Sequence, residues 1–154
     1  MSALNLMLVD DEERFLATTA KLLERVGHRV LTASSGQAAI ELLGDHDVDV
    51  MILDMKMPGM GGLEVLREVR LRFPLVEVIM LTGHGTIESA VEGLKSGAFD
   101  FVTKPCDIET LVSKAEEAAA RRRAVEEKIR RARTMTAMRS PRDLVKSVDG
   151  EVEN

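Results

Sequence analysis

Five times along this chain a short apolar run is followed by an amphipathic stretch, and that alternation limits the fold more than any other feature. The strand candidates are Leu6–Val9, Arg29–Ala33, Val50–Leu53, Val78–Leu81 and Phe101–Thr103. Runs such as VMIL and VIML are almost continuously apolar, as expected of strands covered on both faces. Between them the spacing predicts helices over about 12–26, 36–44, 62–72, 86–96 and from 107 onward. In the first, Phe15, Leu16, Thr19, Leu22, Leu23 and Val26 form a helical stripe. Gly27, Gly44 and Gly97 stand where helix ends favour a left-handed residue, and Pro74 blocks continuation of the third helix. Five strand–helix repeats imply an α/β fold, a doubly wound five-stranded parallel sheet with right-handed crossovers. In such sheets ligands bind beyond the carboxyl ends of the strands, near the point where strand order reverses.

The chain of 154 residues suits one compact domain with a modest appendage. With no Trp, no Tyr and four Phe, the core must be built from aliphatic residues and Met. No apolar run approaches the ~20 residues that span a bilayer, and the N-terminus lacks the pattern of a signal peptide. Cys106 is the only cysteine, which excludes an intrachain disulfide and a Cys-rich zinc site. These features fit a cytoplasmic protein without a membrane partner.

Charge divides the chain. Residues 1–120 carry 11 Lys/Arg against 20 Asp/Glu, net −9, whereas residues 121–154 carry 10 against 6, net +4. We expect a domain over 1–120 and a basic helical extension with a disordered tail over 121–154. The fifth helix has an apolar face of Ile108, Leu111, Val112, Ala115, Ala118 and Ala119. Val125, Ile129 and Ala132 continue a similar spacing, so the helix is predicted to run to about residue 134. The acidic body argues against nucleic-acid binding by the domain itself. The basic cluster around Arg121, Arg122 and Arg123 has no interleaved aromatic residue and suits solubility or an acidic protein surface better.

Four strand ends carry the informative residues: Asp10 and Asp11 after the first, Asp54 after the third, Thr82 after the fourth, and Lys104 with Pro105 after the fifth. Singly, each has a structural reading: a helix cap, a turn residue, a hydroxyl bonded to its own backbone, an exposed lysine. Jointly, three carboxylates and a lysine on one binding edge suggest chemistry. Clustered carboxylates raise one another's pKa values unless a cation sits among them, and hard oxygen donors in a partly hydrated site suit Mg2+. Such a carboxylate can attack a phosphoryl donor and form an acyl phosphate, while the metal and lysine neutralise the phosphoryl oxygens.

VDDE, LDMKMPGMGG, LTGHG and FDFVTKP, in that order and spacing, resemble the receiver domains of bacterial two-component response regulators over roughly residues 4–120. The wording of LTGHGT and GAFDFVTKP is most similar to receivers of enhancer-binding activators. The resemblance implies the flavodoxin-like receiver fold, Asp54 as phosphoacceptor, and Mg2+ held by Asp11 and Asp54, by the backbone carbonyl of Lys56, and by Asp10 through water. It also implies Thr82 and Lys104 as the groups that engage the phosphoryl oxygens, Phe101 at the aromatic switch position, and a cis Lys104–Pro105 peptide. Core packing is the competing reading for Phe101. Cys106 reads as a small buried apolar residue, and Lys56 and His84 as neighbours that tune the lifetime of the acyl phosphate.

The implied function is a signalling switch, not a turnover enzyme. Its partners would be a sensor histidine kinase or phosphotransfer protein and a downstream protein target, met through the surface of the fourth helix, fifth strand and fifth helix. The extended fifth helix could pair with its twin in a homodimer. No P-loop follows residue 120, so the chain is a stand-alone receiver or part of a longer regulator, and the polar ending favours the former. Two alternatives stand beside this reading: a degenerate receiver that only binds, against which the intact acidic set argues, and a flavin or nucleotide enzyme on the same fold, against which the absence of glycine-rich phosphate loops argues.

Overall fold

The computed structural model describes residues 2–83 and 87–138. His84 and residues 139–154, for which lifetime tuning and a disordered tail are expected, lie outside the described residues. The elements run β1 (Asn5–Val9), α1 (Glu13–Val26), β2 (Arg29–Ala33), α2 (Gly36–Asp45), β3 (Val50–Asp54), α3 (Gly62–Arg72), β4 (Glu77–Thr82), α4 (Ile87–Lys95), β5 (Asp100–Thr103) and α5 (Ile108–Met138). All five strands pair in parallel in the order β2-β1-β3-β4-β5. Strand order reverses between β1 and β3, whose carboxyl ends carry Asp10 and Asp54.

The central strands are buried on both faces, and period-two alternation sorts their side chains into two cores. Met7, Val9, Met51, Leu53, Val78 and Met80 pack with α2 and α3 residues such as Ile40, Leu43, Leu66 and Val69. Leu6, Leu8, Val50, Ile52, Ile79 and Leu81 pack with Leu16 and Leu23 of α1 and with Leu111, Ala115 and Ala118 of α5. Each fully buried aliphatic side chain contributes about 1.5–3 kcal/mol. Edge strand β2 is buried fully only at Ala33. Helix α4 buries small residues, Ala90 and Gly93, and a Cβ on Gly93 would fall 2.0 Å from Met80 Sδ.

Several local expectations need correction. Gly27 and Gly97 do take positive φ (113° and 109°) at helix ends, but Gly44 lies inside α2, which ends instead at His46. The α1 stripe is rotated from its predicted position: Leu16, Thr19, Ala20 and Leu23 are buried, while Leu22 and Val26 are exposed. Helix α5 continues past residue 134 to Met138. Arg122, inside the α5 stripe, is itself buried. It donates to the Val48 carbonyl oxygen and pairs with Asp47 at 2.9 Å and Asp49 at 3.6 Å. Arg121 pairs with buried Glu77 at 3.1 Å and lies over the Phe99 ring. Part of the basic cluster is therefore spent on anchoring α5.

Contacts divide the chain into two units after Arg122. The first contains the sheet and its helices. The described part of the second is the remaining length of α5, on which Val125 and Ile129 are exposed and Glu127 pairs with Arg130 and Arg131. No described helix is long and apolar enough to cross a membrane.

Candidate functional site

Parallel pairing decides what meets at the carboxyl edge. Val9 aligns with Leu53, Asp54 with Leu81, and Thr82 with Thr103, so Asp10, Asp54, Thr82 and Lys104 emerge on adjacent strand ends. Asp10 and Asp54 are buried, and Asp11 is exposed. One carboxylate oxygen from each of the three comes within 4.8 Å of the others. Asp10 also accepts a hydrogen bond from the Glu12 N–H at 2.9 Å, which orders the turn into α1 and fixes the carboxylate.

Lys104 supplies the opposite charge. Its Nζ lies 2.5 Å from Asp10 Oδ2 and 3.8 Å from Asp54 Oδ1. The Lys104 N–H donates to the Thr82 carbonyl at 2.7 Å, which ties the stem of the lysine to the end of β4, and the Lys104–Pro105 peptide is cis. The Lys56 N–H points to Asp54 Oδ1 at 3.4 Å, so the loop after β3 folds back over the carboxylate, while the residue itself is exposed.

Burial pushes the Asp54 carboxyl above its usual range, and the nearby Asp10 carboxylate adds to that, against the pull of Lys104. For Lys104, burial works to lower the ammonium pKa. The hydrogen bond it donates to Asp10 and the charge of Asp54 outweigh it and hold the group above its ordinary value. Three carboxylates and one ammonium leave the pocket net negative. A second cation with a preference for oxygen fits that donor set, and Mg2+ satisfies the requirement with few carboxylates and retained waters.

Thr82 is buried at the end of β4. Phe101 is outside both cores at 37% exposure, which disfavours core packing as its role. Cys106 is half-buried against the α1–α5 core, less enclosed than its sequence position suggests, and burial raises its thiol pKa. One contributor escapes a reading by motif: Phe15 places its ring face 4.3 Å from Lys104 Nζ. Gly62, the last residue of LDMKMPGMGG, packs against the backbone behind Asp54. The only sequence signal for Phe15 is that it is the first apolar residue of the α1 stripe, closest to the strand ends.

Residues 6–116 match the family of response regulator receiver domains. The chain is 38% identical over 114 residues to an NtrX-like response regulator of Rickettsia bellii, covering 73% of this chain and 24% of that protein. It is 39% identical over 114 residues to the regulatory protein AtoC of Escherichia coli, covering 72% of this chain and 24% of that protein. The chain thus spans about a quarter of the length of these relatives. A solved response regulator receiver domain protein from Clostridium thermocellum superposes with a TM-score of 0.76 at 35% identity, covering 79% of this chain and 98% of that one. The chain belongs to the response regulator receiver domain family, and its relatives are regulators of the enhancer-binding activator class.

Proposed function

We propose that the chain is a phosphorylation-dependent switch in which Asp54 accepts a phosphoryl group from a sensor histidine kinase, a phosphotransfer protein or a small acyl phosphate. An Asp54 carboxylate oxygen attacks phosphorus, the bond from phosphorus to the donor breaks, and the donor leaves with the electron pair. Mg2+ held by Asp10, Asp11, Asp54 and the backbone carbonyl of Lys56 would neutralise charge on the phosphoryl oxygens during transfer. Lys104 leaves Asp10 and turns to those oxygens, and the Thr82 hydroxyl donates to another. The observation that carries this reading is the gathering of Asp10, Asp11 and Asp54 oxygens within 4.8 Å, beside an ammonium 2.5 Å from Asp10.

Bonds that exist only in the phosphorylated state bias a two-state equilibrium. The surface that changes is that of α4, β5 and α5, since Thr82, Lys104 and Phe101 belong to β4, β5 and the loop that follows β5. Phe101 has no hydroxyl, so its switching is by burial alone. That surface meets a downstream protein target, and the exposed Val125 and Ile129, one helical turn apart, suit a homodimeric pairing of α5. The domain works in the cytoplasm on itself, turns over no metabolite, and binds no nucleic acid directly. Intact-mass measurement after acetyl phosphate and Mg2+ tests the reading. The wild-type chain gains one phosphoryl mass, and Asp54→Ala gains none. An equal gain in both overturns the assignment.

A further inference from the structure

We infer that Phe15 is a positioning residue that parks the Lys104 ammonium on Asp10 in the resting site and thereby sets how readily Mg2+ enters. This rests on the reading of Asp10, Asp11 and Asp54 as the metal-binding set.

Besides the weaker pull of Glu12, the Lys104 head group has three close neighbours of favourable sign. Asp10 Oδ2 is 2.5 Å away, Asp54 Oδ1 is 3.8 Å away, and the Phe15 ring centroid is 4.3 Å away. The ring face carries negative quadrupole density and attracts an ammonium within about 6 Å, most strongly where water is partly excluded. Lys104 is only 21% exposed at its side chain, so that condition holds. Phe15 itself is half-buried and packs against the α1–α5 core, which fixes the ring as a platform. The lysine stem is held from the other side by the bond from its own N–H to Thr82. The ammonium therefore occupies a carboxylate oxygen that a metal ion, or the water it carries, would need. Mg2+ must displace it from Asp10, and whatever holds the ammonium there weakens metal binding by the same free energy.

Replacing Phe15 by phenylalanines of increasing ring fluorination keeps the shape of the residue and drains the ring face of its negative density. Calorimetric titration of the 154-residue chain with Mg2+ reads the effect. The dissociation constant is expected to fall stepwise with fluorination, by about three- to tenfold across the series. In a Lys104→Met background the same series is expected to be flat, because the ring then has no ammonium to hold. A flat series in the wild-type background, or a trend that persists without Lys104, overturns the assignment to Phe15 while leaving the metal site intact. Absence of Mg2+ binding by the wild-type chain overturns both.

Discussion

Lys104 Nζ stands 2.5 Å from Asp10 and 3.8 Å from Asp54, so the ammonium rests on the neighbouring acid and not on the acid proposed to be phosphorylated. In the metal-free protein it is the one cation at the site, among the described residues, opposing three carboxylates. Removing it as Lys104→Ala leaves buried Asp10 with the Glu12 N–H but without its cationic partner, and a hydrogen bond to a charged group contributes about 1.5–3 kcal/mol. The variant is expected to lose about that much stability in urea denaturation with chelator present. It is also expected to bind Mg2+ more tightly by calorimetry, and to take up phosphoryl groups more slowly in the intact-mass assay.

Asp54 predicts an opposite effect on stability. Burial, aided by Asp10, raises its carboxyl pKa in the folded state above the ordinary value of 3.8. The folded protein therefore holds this proton more tightly than the unfolded chain does. No cost exists below the ordinary value, where both states are protonated. The cost grows as pH rises from there through the folded value and is complete above it. Asp54→Asn is expected to be more stable than wild type at pH 7 without metal, and the gain is expected to vanish in acid below the ordinary carboxyl range. Denaturation curves at the two pH values check the sign. A variant less stable than wild type at pH 7 contradicts it.

Gly62, the first residue of α3, has no room for a side chain. A Cβ there would meet Met55 Cα at 2.6 Å, Met55 Sδ at 2.8 Å and the Asp54 carbonyl oxygen at 3.0 Å. Relief requires backbone movement directly behind the proposed phosphoacceptor. Gly62→Ala is expected to cost about 1–3 kcal/mol and to slow phosphorylation by acetyl phosphate. Gly61→Ala, whose Cβ would enter open space, serves as the control.

Arg122 is expected to matter for folding alone. It closes the buried Val48 carbonyl and pairs with Asp47 and Asp49 near the amino end of β3. Arg122→Met strands that carbonyl, at a cost of about 1–3 kcal/mol. Phosphoryl uptake per folded molecule is expected to be unchanged, because the strand ends that carry Asp10 and Asp54 lie at the opposite edge of the sheet.

The order of elements was legible because it rests on local physics. Apolar runs three to five residues long, separated by amphipathic stretches, can bury themselves only as a covered parallel sheet, and β2 and α3 fall on their predicted spans. Asp10, Asp11, Asp54, Thr82 and Lys104 were candidates for the same reason, since a parallel sheet brings its strand ends to one edge. The face of α5 was legible, since Leu111, Ala115, Ala118 and Ala119 are buried as their spacing predicts, but the rotation of α1 about its axis was not. Leu22 and Val26 share the spacing of Leu23, yet face solvent because α1 is seated by the cores and by its turn at Asp10. Arg122 interrupts an apolar stripe in the sequence but faces inward, where a carbonyl and two carboxylates from a loop more than 70 residues away receive it. The Phe15–Lys104 contact joins residues from opposite ends of the domain. Periodicity encodes which residues share a face of one element. Only the packing of elements against each other decides which faces meet, because that choice is settled by long-range burial and charge pairing that no single segment contains.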